Sequence, residues 1–135
     1  MTAFLTHKEA SGLGLVTNKP AKFRNQKVAV DGRTFHSIKE AERYRELCME
    51  RRSGLITHLT CQPYFELQPS FKVGKKTERA IGYIADFMYK RKADGAWVVE
   101  DVKSEITRKV PAYAMKRKLF LFKYQQKYTF VELVR

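Results

Sequence analysis

The chain has 135 residues, and its 27 lysines and arginines exceed its 14 aspartates and glutamates by 13 positive charges. This length fits one domain with a real core, and the excess of cations favours a polyanionic partner, of which nucleic acid is the commonest. No stretch approaches the roughly 20 apolar residues of a membrane-spanning helix, and the N-terminus lacks a signal-peptide pattern, so we expect a cytoplasmic protein outside the membrane.

Residues 1–25 have the composition of a flexible, basic arm. Glycine, asparagine and proline interrupt the segment, and Lys19, Lys22 and Arg24 lie toward its end. Such a segment is either a disordered tail or an arm that contacts phosphates, and the two descriptions are compatible. We expect these three cations to bind nucleic acid and residues 26–135 to form a single domain.

A helix is predicted from Ile38 to about Arg52. A short strand over residues 27–30 precedes it, and Phe35 is expected to begin a second one. Ser37 has the position of an N-cap, and Glu40 three residues later completes a capping box. A Ser-Gly pair ends the helix.

Strands are predicted to dominate the middle of the chain. Residues 55–59 and 64–67 are candidates, and residues 70–76 form a basic strand or loop that ends at a glycine. Residues 83–90 and 96–103 alternate and are rich in β-branched and aromatic side chains, which is typical of strands. We therefore expect the last two runs to pair as a hairpin.

The register of this hairpin brings charged side chains together. If Asp94-Gly95 forms a two-residue turn, Asp86 lies opposite Lys103. Residues that face each other across strands share a sheet face, and so do residues two apart on one strand. Asp86, Asp101 and Lys103 therefore point to the same side, whereas Glu100 points to the other. A one-residue slip would separate them.

Two acids and a lysine that converge in so basic a protein indicate a metal-dependent phosphodiesterase site. Half-buried carboxylates are costly unless something pairs with them. The alternative is an ordinary solvated ion pair on a hairpin. The apolar neighbours Trp97, Val99 and Val102 favour a central strand that helices cover on both faces.

A second helix and a final strand complete the predicted fold. Residues 104–111 are polar, residues 113–124 form the helix with Pro111 near its start, and residues 128–134 form the strand. The fold class is α/β, with a mixed β-sheet core flanked by helices. Lys116, Arg117 and Lys118 are predicted on the exposed side of this helix. That side is either a solvated face or a phosphate-binding surface, and the absence of acids from Lys109 to Lys127 favours the second. The predicted nucleic-acid-binding residues here are Arg108, Lys109, Lys116, Arg117 and Lys118.

These motifs resemble the PD-(D/E)XK nuclease superfamily, whose fold is restriction endonuclease-like. Tyr83-Ile-Ala-Asp-Phe87 resembles its strand with the first acid, Asp101-Val-Lys103 its acid-x-lysine element, and Ser37–Tyr44 its acidic first helix. Ala85 stands where the superfamily usually has proline. More narrowly, residues 23–133 are similar to small phage and prophage proteins of unassigned function.

The resemblance implies a magnesium ion, with manganese as a substitute, because magnesium prefers hard oxygen ligands. Lys103 would orient the attacking water and stabilise the developing negative charge. Glu42 would replace Glu40 if Glu40 faced away or only capped the helix. The implied metal ligands are two carboxylates, a backbone carbonyl and a further acid: Asp86, Asp101, Val102 and Glu40.

The implied function is a magnesium-dependent endodeoxyribonuclease. The chain is too small for a separate sequence-reading domain, which favours recognition of DNA shape, as in a phage Holliday junction resolvase. Two coordinated cuts would require a homodimer. A non-catalytic nucleic-acid-binding protein that keeps the fold, or a small basic RNA-associated protein, is the alternative. A pure phosphate binder, however, gains nothing from acids that face its ligand.

Overall fold

The computed structural model describes residues 26–135, and the predicted arm with Lys19, Lys22 and Arg24 lies outside the described residues. Neither of the two described helices is long and apolar enough to cross a membrane. The elements in chain order are β1 (Val28–Val30), β2 (Arg33–Phe35), α1 (Ile38–Arg52), β3 (Ile56–Cys61), β4 (Tyr64–Gln68), β5 (Phe71–Val73), β6 (Lys76–Glu78), β7 (Ile81–Ile84), β8 (Phe87–Arg91), β9 (Trp97–Lys103), α2 (Pro111–Tyr124) and β10 (Thr129–Val134), with a 3₁₀ turn at Thr107–Lys109.

A four-stranded mixed sheet in the order β10-β9-β8-β3 forms the centre of the fold. β9 and β10 run parallel, and the other neighbours run antiparallel. The adjacent residues Val98 and Val99 point to opposite faces of β9, and both are fully buried, one in the core under α1 and the other in the core under α2. The predicted α/β class with a mixed sheet core is confirmed.

Helix α1 has the predicted boundaries because both of its ends carry local stop signals. The Ser37 hydroxyl accepts the Glu40 N–H at 3.1 Å, and Gly54 follows the helix with a φ of 78°. Phe35, however, ends β2 and does not begin a strand. It pairs with Val28, and the Ser37 cap of α1 follows two residues later, so no strand begins here.

The buried side of helix α2 is not simply the side opposite its cations. Tyr113 and Phe120 are fully buried, whereas the apolar side chains of Met115, Leu119 and Phe122 form the exposed side. Their spacing of four and three residues places them in one stripe along the helix. These three apolar residues therefore face away from the hydrophobic core.

The predicted exposed row of Lys116, Arg117 and Lys118 is wrong. Lys118 is exposed, but Lys116 and Arg117 are half-buried. Three consecutive residues span about 200° of a helix with 3.6 residues per turn. They cannot share one side, and the fully buried positions of α2 draw two of them toward the domain.

The hairpin between β8 and β9 has a longer turn than the sequence predicted. The Arg91 N–H donates to the Ala96 carbonyl at 2.8 Å, so residues 92–95 form the loop. Asp94 closes this loop, because its carboxylate accepts the Ala96 N–H at 3.1 Å and the Arg91 guanidinium at 2.7 Å. The two-residue Asp94-Gly95 turn is therefore wrong.

The register of the hairpin changes accordingly, but its faces do not. Phe87 pairs with Glu100 and Lys90 with Trp97, a shift of two residues from the predicted pairing. Side chains alternate with a period of two, so an even shift keeps each residue on its face. Asp101 and Lys103 share one face of β9, and Glu100 lies on the other.

The predicted strand over residues 83–90 is two strands, β7 and β8, with a break at Ala85 and Asp86. β7 pairs with β4, whereas β8 pairs with β3 and β9. Backbone hydrogen bonds hold the break: Ala85 N–H donates to Pro63 O at 3.1 Å and Asp86 N–H to Glu100 O at 3.2 Å. The strand changes partners at this point, and the change places Asp86 beside β9.

Candidate active site

Four ionisable side chains are buried around the break between β7 and β8. Glu40 is 3% exposed, Asp86 4%, Asp101 0% and Lys103 6%. Charged residues are almost never buried this far unless they are paired. The sequence predicted these four residues as the site, and three different parts of the fold supply them: the first turn of α1, the strand break and the end of β9.

The two aspartates form the centre of this group. Asp86 Oδ2 accepts the Val102 N–H at 2.7 Å, which holds its carboxylate against β9. Burial raises the pKa of Asp101 well above its usual value, the Asp86 charge adds to this, and the Lys103 charge opposes it. Two carboxylates in one desolvated place favour retention of a proton unless a cation neutralises them.

Asp101 has protein donors on both of its oxygens. The Tyr83 hydroxyl donates to Oδ2, and the Lys103 ammonium donates to Oδ1. Tyr83 is fully buried, and sequence reasoning missed its role. The available signal was a tyrosine in an apolar strand, because a buried tyrosine hydroxyl needs a hydrogen-bond partner.

An aromatic ring packs against the ammonium group of Lys103. Its Nζ lies 4.7 Å from the centroid of the Tyr113 ring, within the range of a cation–π interaction. The Tyr113 hydroxyl in turn donates to Glu132 Oε2 at 2.9 Å. Tyr113 thus belongs both to the core and to the site.

Glu40 has one oxygen in use and one without a partner. Its Oε2 accepts the N–H of His36, the residue before the Ser37 cap, at 3.2 Å, so the reciprocal bond of the predicted capping box goes to His36 and not to Ser37. Its Oε1 is buried and has no hydrogen-bond partner among residues 26–135. Glu42 is exposed, so the alternative that Glu42 completes the site is wrong. The two acids lie two positions apart on a helix, and such positions face different sides.

Removing divalent cations should expose the cost of burying Glu40. Burial and the Asp86 charge raise the pKa of Glu40 from 4.5 to about 7. The folded protein then holds a proton that the unfolded chain releases, so wild-type stability falls as the pH rises from 4.5 to about 7. In chelator, we expect Glu40→Gln to be more stable than wild type at pH 8, with a smaller advantage or a deficit at pH 5.

Urea denaturation at the two pH values measures this change. Glu42→Gln, on the exposed side of the same helix, is the control and should show no such pH dependence. An identical difference between Glu40→Gln and wild type at both pH values would contradict the buried, proton-holding Glu40.

The opposite face of β9 carries a separate ion pair. Glu100 is almost fully buried, and the Arg43 guanidinium binds both of its oxygens, with distances of 2.7 Å and 3.0 Å. The Tyr89 hydroxyl also donates to Glu100 Oε1 at 2.9 Å. All the contacts of this acid lie on the α1 side, so its role is structural.

The donor chemistry of the site fits a hard divalent cation. Among residues 26–135, no three histidine, cysteine, aspartate or glutamate side chains form a ready-made metal site. Magnesium, however, needs only one or two carboxylates when substrate oxygens and water complete its shell. The two aspartates and the unpartnered Glu40 Oε1 supply such oxygens. The Val102 carbonyl lies 3.5 Å from Lys103 Nζ, and its predicted role as a ligand stays a prediction.

The predicted phosphate-binding cations divide into two groups. Arg108 donates to Glu132 at 2.8 Å, and Arg117 Nε lies 3.6 Å from the same carboxylate. The absence of acids from Lys109 to Lys127 does not leave these two arginines unpaired, because β10 brings Glu132 to both of them and Glu105 lies 3.6 Å from Arg108. Lys109, Lys116 and Lys118 have no ion-pair partner within the described domain.

The comparisons with known proteins concern almost the whole described domain. A family model with the description “Protein of unknown function (DUF1064)” matches residues 20–134, which include all four buried ionisable residues. No curated protein and no solved structure matches the chain. The similarity to PD-(D/E)XK nucleases therefore stays a prediction from the motifs.

Proposed function

We propose that this chain, which belongs to the DUF1064 family, is a metal-dependent endodeoxyribonuclease. The observation that supports this best is the buried group of Glu40, Asp86, Asp101 and Lys103 in a protein of net charge +13. Burying these acids destabilises the fold, and their charge repels any polyanion. A metal-assisted reaction on a phosphodiester accounts for the three buried acids and for the lysine beside them.

Each residue has a distinct part in this proposal. Asp86 and Asp101 would hold Mg²⁺ or Mn²⁺, and Glu40 Oε1 would be a further ligand. When bound, such an ion supplies charge that polarises a phosphate oxygen and lowers the pKa of water. Lys103, which Asp101 and the Tyr113 ring hold in place, puts a positive charge where negative charge develops on the phosphate.

The proposed substrate is branched DNA, such as a Holliday junction formed in phage recombination, in the cytoplasm of a bacterial host. Both described helices pack on the central sheet, and the exposed side of α2 carries the apolar stripe of Met115, Leu119 and Phe122. This stripe does not suit the reading of base edges in the major groove, which needs polar side chains. Lys109, Lys116 and Lys118 suit phosphate contacts, which report the path of the backbone rather than its sequence.

A homodimer is part of this proposal, because junction cleavage requires two coordinated cuts. The exposed stripe of Met115, Leu119 and Phe122 on α2 is the place where we expect the second copy. Phe122 is 84% exposed, the highest value among the large apolar residues of the described domain. Sedimentation velocity of the purified protein tests this expectation, and a monomer at all concentrations would contradict it.

A nucleic-acid-binding protein without catalysis is the second candidate. It is favoured by the observation that both Asp101 oxygens already have donors, from Tyr83 and Lys103. In that case the ion pair would only stabilise the end of β9. The same acids would weaken DNA binding, and stabilisation of β9 would be their only contribution.

The test is a cleavage assay on linear, flapped and four-way DNA of equal length. We expect cleavage with magnesium or manganese, none in chelator, and faster cleavage of branched substrates. Lys103→Ala should slow cleavage by about 100- to 1,000-fold, which is the loss expected for a charge that stabilises the transition state. Lys92→Ala, an exposed lysine in the β8–β9 loop, is the control.

The outcomes separate the two candidates. Full cleavage in chelator would overturn the metal-dependent mechanism. Tight binding without cleavage of any substrate would favour the second candidate. Equal cleavage of linear and branched DNA would leave a nuclease without selectivity for structure.

A further inference from the structure

Residues 70–79 form a ribbon that projects from the domain. β5 and β6 pair with each other in the register Phe71–Glu78, Lys72–Thr77 and Val73–Lys76. Gly74, with a φ of 61°, is the first residue of the two-residue turn between them. A type II′ hairpin turn requires glycine at this position. The sequence predicted a single basic strand or loop here, and the structure folds it back on itself.

Nothing in the described domain covers this ribbon. Every residue from Gln68 to Thr77 is exposed, and β5 and β6 have substantial contacts only with each other. The apolar side chains of Phe71 and Val73 are 46% and 60% exposed. An isolated two-stranded hairpin is marginally stable in water. Within the described domain, the ribbon is therefore held only through the β4–β7 pair that it extends, whose Phe65 and Tyr83 lie in the core.

The charge of the ribbon is strongly positive. Residues 70–80 carry four cations and one acid. Lys76 Nζ lies 3.3 Å from Glu78, so these two partly neutralise each other. The cations with no ion-pair partner within the described domain are Lys72, Lys75 and Arg79.

The ribbon is also connected directly to the candidate site. β4 and β7 continue its two strands, and β7 ends at Ile84, two residues before Asp86. Lys75 at the tip is eleven residues from Asp86, so at about 3.3 Å per residue the tip lies at most about 36 Å away. The tip therefore reaches no further from Asp86 than about one turn of a DNA duplex, about 34 Å.

We propose that the ribbon of residues 70–79 is a DNA-binding arm that enters the major groove of the duplex next to the candidate site. Two strands about 4.8 Å apart fit the groove, which is about 12 Å wide and admits a β-ribbon. Lys72 and Thr77 lie on the face of the ribbon that enters the groove, and Phe71 and Val73 lie on the opposite face. Lys72, Lys75 and Arg79 contact the phosphates that border the groove. The inference rests on the proposed function for its choice of DNA.

A structural alternative exists for the same cations. Exposed strands often carry lysines that prevent edge-to-edge aggregation. In that case the lysines would contribute to DNA binding only through the overall charge of the protein. Cations elsewhere on the surface would then contribute equally.

The experiment compares two triple variants that remove the same charge. Lys72→Gln, Lys75→Gln and Arg79→Gln neutralise the ribbon, and the control replaces three exposed cations of α1 and the β8–β9 loop: Arg45→Gln, Arg52→Gln and Lys92→Gln. Fluorescence anisotropy measures binding to a 30-base-pair DNA duplex and to an RNA duplex of the same sequence. All measurements are made in chelator over a range of salt, and thermal unfolding confirms that both variants fold.

The ribbon variant should bind the DNA duplex about tenfold or more weakly than the control, and its salt slope should fall by up to about 2.7, which is 0.9 for each lost phosphate contact. Binding to the RNA duplex should change much less, because the deep, narrow major groove of A-form RNA excludes the ribbon. Equal losses in both triple variants would overturn the proposal. So would equal ribbon dependence for RNA and DNA, which would mean phosphate contact without entry into a groove.

The binding assay in chelator does not depend on cleavage. If the protein cuts no DNA but the ribbon variant alone loses affinity, the proposed nuclease activity is contradicted and the proposed DNA-binding role of the ribbon is supported. If wild type cuts DNA and the ribbon variant binds as tightly as the control variant, the proposed role of the ribbon is contradicted and the proposed nuclease activity is supported.

Discussion

Replacing Asp86 or Asp101 with asparagine should lower DNA cleavage by at least about 1,000-fold, a loss of about 4 kcal/mol of transition-state stabilisation. Asparagine keeps the size of the side chain but removes the charge that would hold the cation. DNA binding should stay the same or become slightly tighter, because an acid that repels phosphate is removed. Cleavage under magnesium and binding in chelator are the two measurements.

The control for these variants is Asp94→Asn. Asp94 is exposed, and its contacts lie within the β8–β9 loop. Its replacement should leave cleavage within about twofold of wild type, since exposed changes away from a site have small effects. Wild-type cleavage by Asp86→Asn or Asp101→Asn would show that the site lies elsewhere. Loss of binding together with cleavage would point to misfolding, which thermal unfolding detects.

Replacing Arg43 with methionine should reduce the free energy of unfolding by about 3–5 kcal/mol, because it leaves the buried Glu100 charge without its partner. Glu100 is 1% exposed, and Arg43 binds both of its oxygens. The double variant Arg43→Met with Glu100→Leu should recover most of this loss, since a buried ion pair can often be replaced by apolar residues of similar size. Denaturation in guanidinium chloride measures both.

The exposed Arg45 of the same helix provides the control, and Arg45→Met should change stability by less than about 0.5 kcal/mol. Arg43→Met should still cleave DNA at temperatures where it is folded. A loss below about 1 kcal/mol for Arg43→Met would contradict the buried pair. Loss of cleavage in folded Arg43→Met would mean that the two faces of β9 do not have separate roles.

The elements that the sequence predicted well have local causes. Helix α1 was predicted at both ends because a serine cap and a Ser-Gly stop lie within the chain at those points. The shared face of Asp101 and Lys103 follows from the period of two along a single strand. Even a wrong turn preserved it, because the loop changed the register by an even number of residues.

The features that the sequence could not predict depend on distant parts of the chain. Both halves of the run around Asp86 are apolar, so nothing local shows that one half pairs with β4 and the other with β9. Glu132 meets Arg108 across 24 positions, and Tyr83 meets Asp101 across 18. Helix α2 has apolar residues on opposite sides, and only the packed fold shows which side is buried.

The parallel pairing of β9 with β10 also bears on the order in which the central sheet can assemble during synthesis. β10 is the last described strand in chain order, and it pairs along the edge of β9 from Val98 to Lys103. Arg135 completes the attachment, with its N–H bound to the Lys103 carbonyl at 3.0 Å and its guanidinium bound to Glu46 on α1 at 2.7 Å. The ribosome adds β10 after all four buried ionisable residues of the candidate site. Until β10 has been added, β9 has β8 on one side and an unpaired edge on the other, so Asp101 and Lys103 lie on an edge strand that becomes a central strand only when β10 pairs with it.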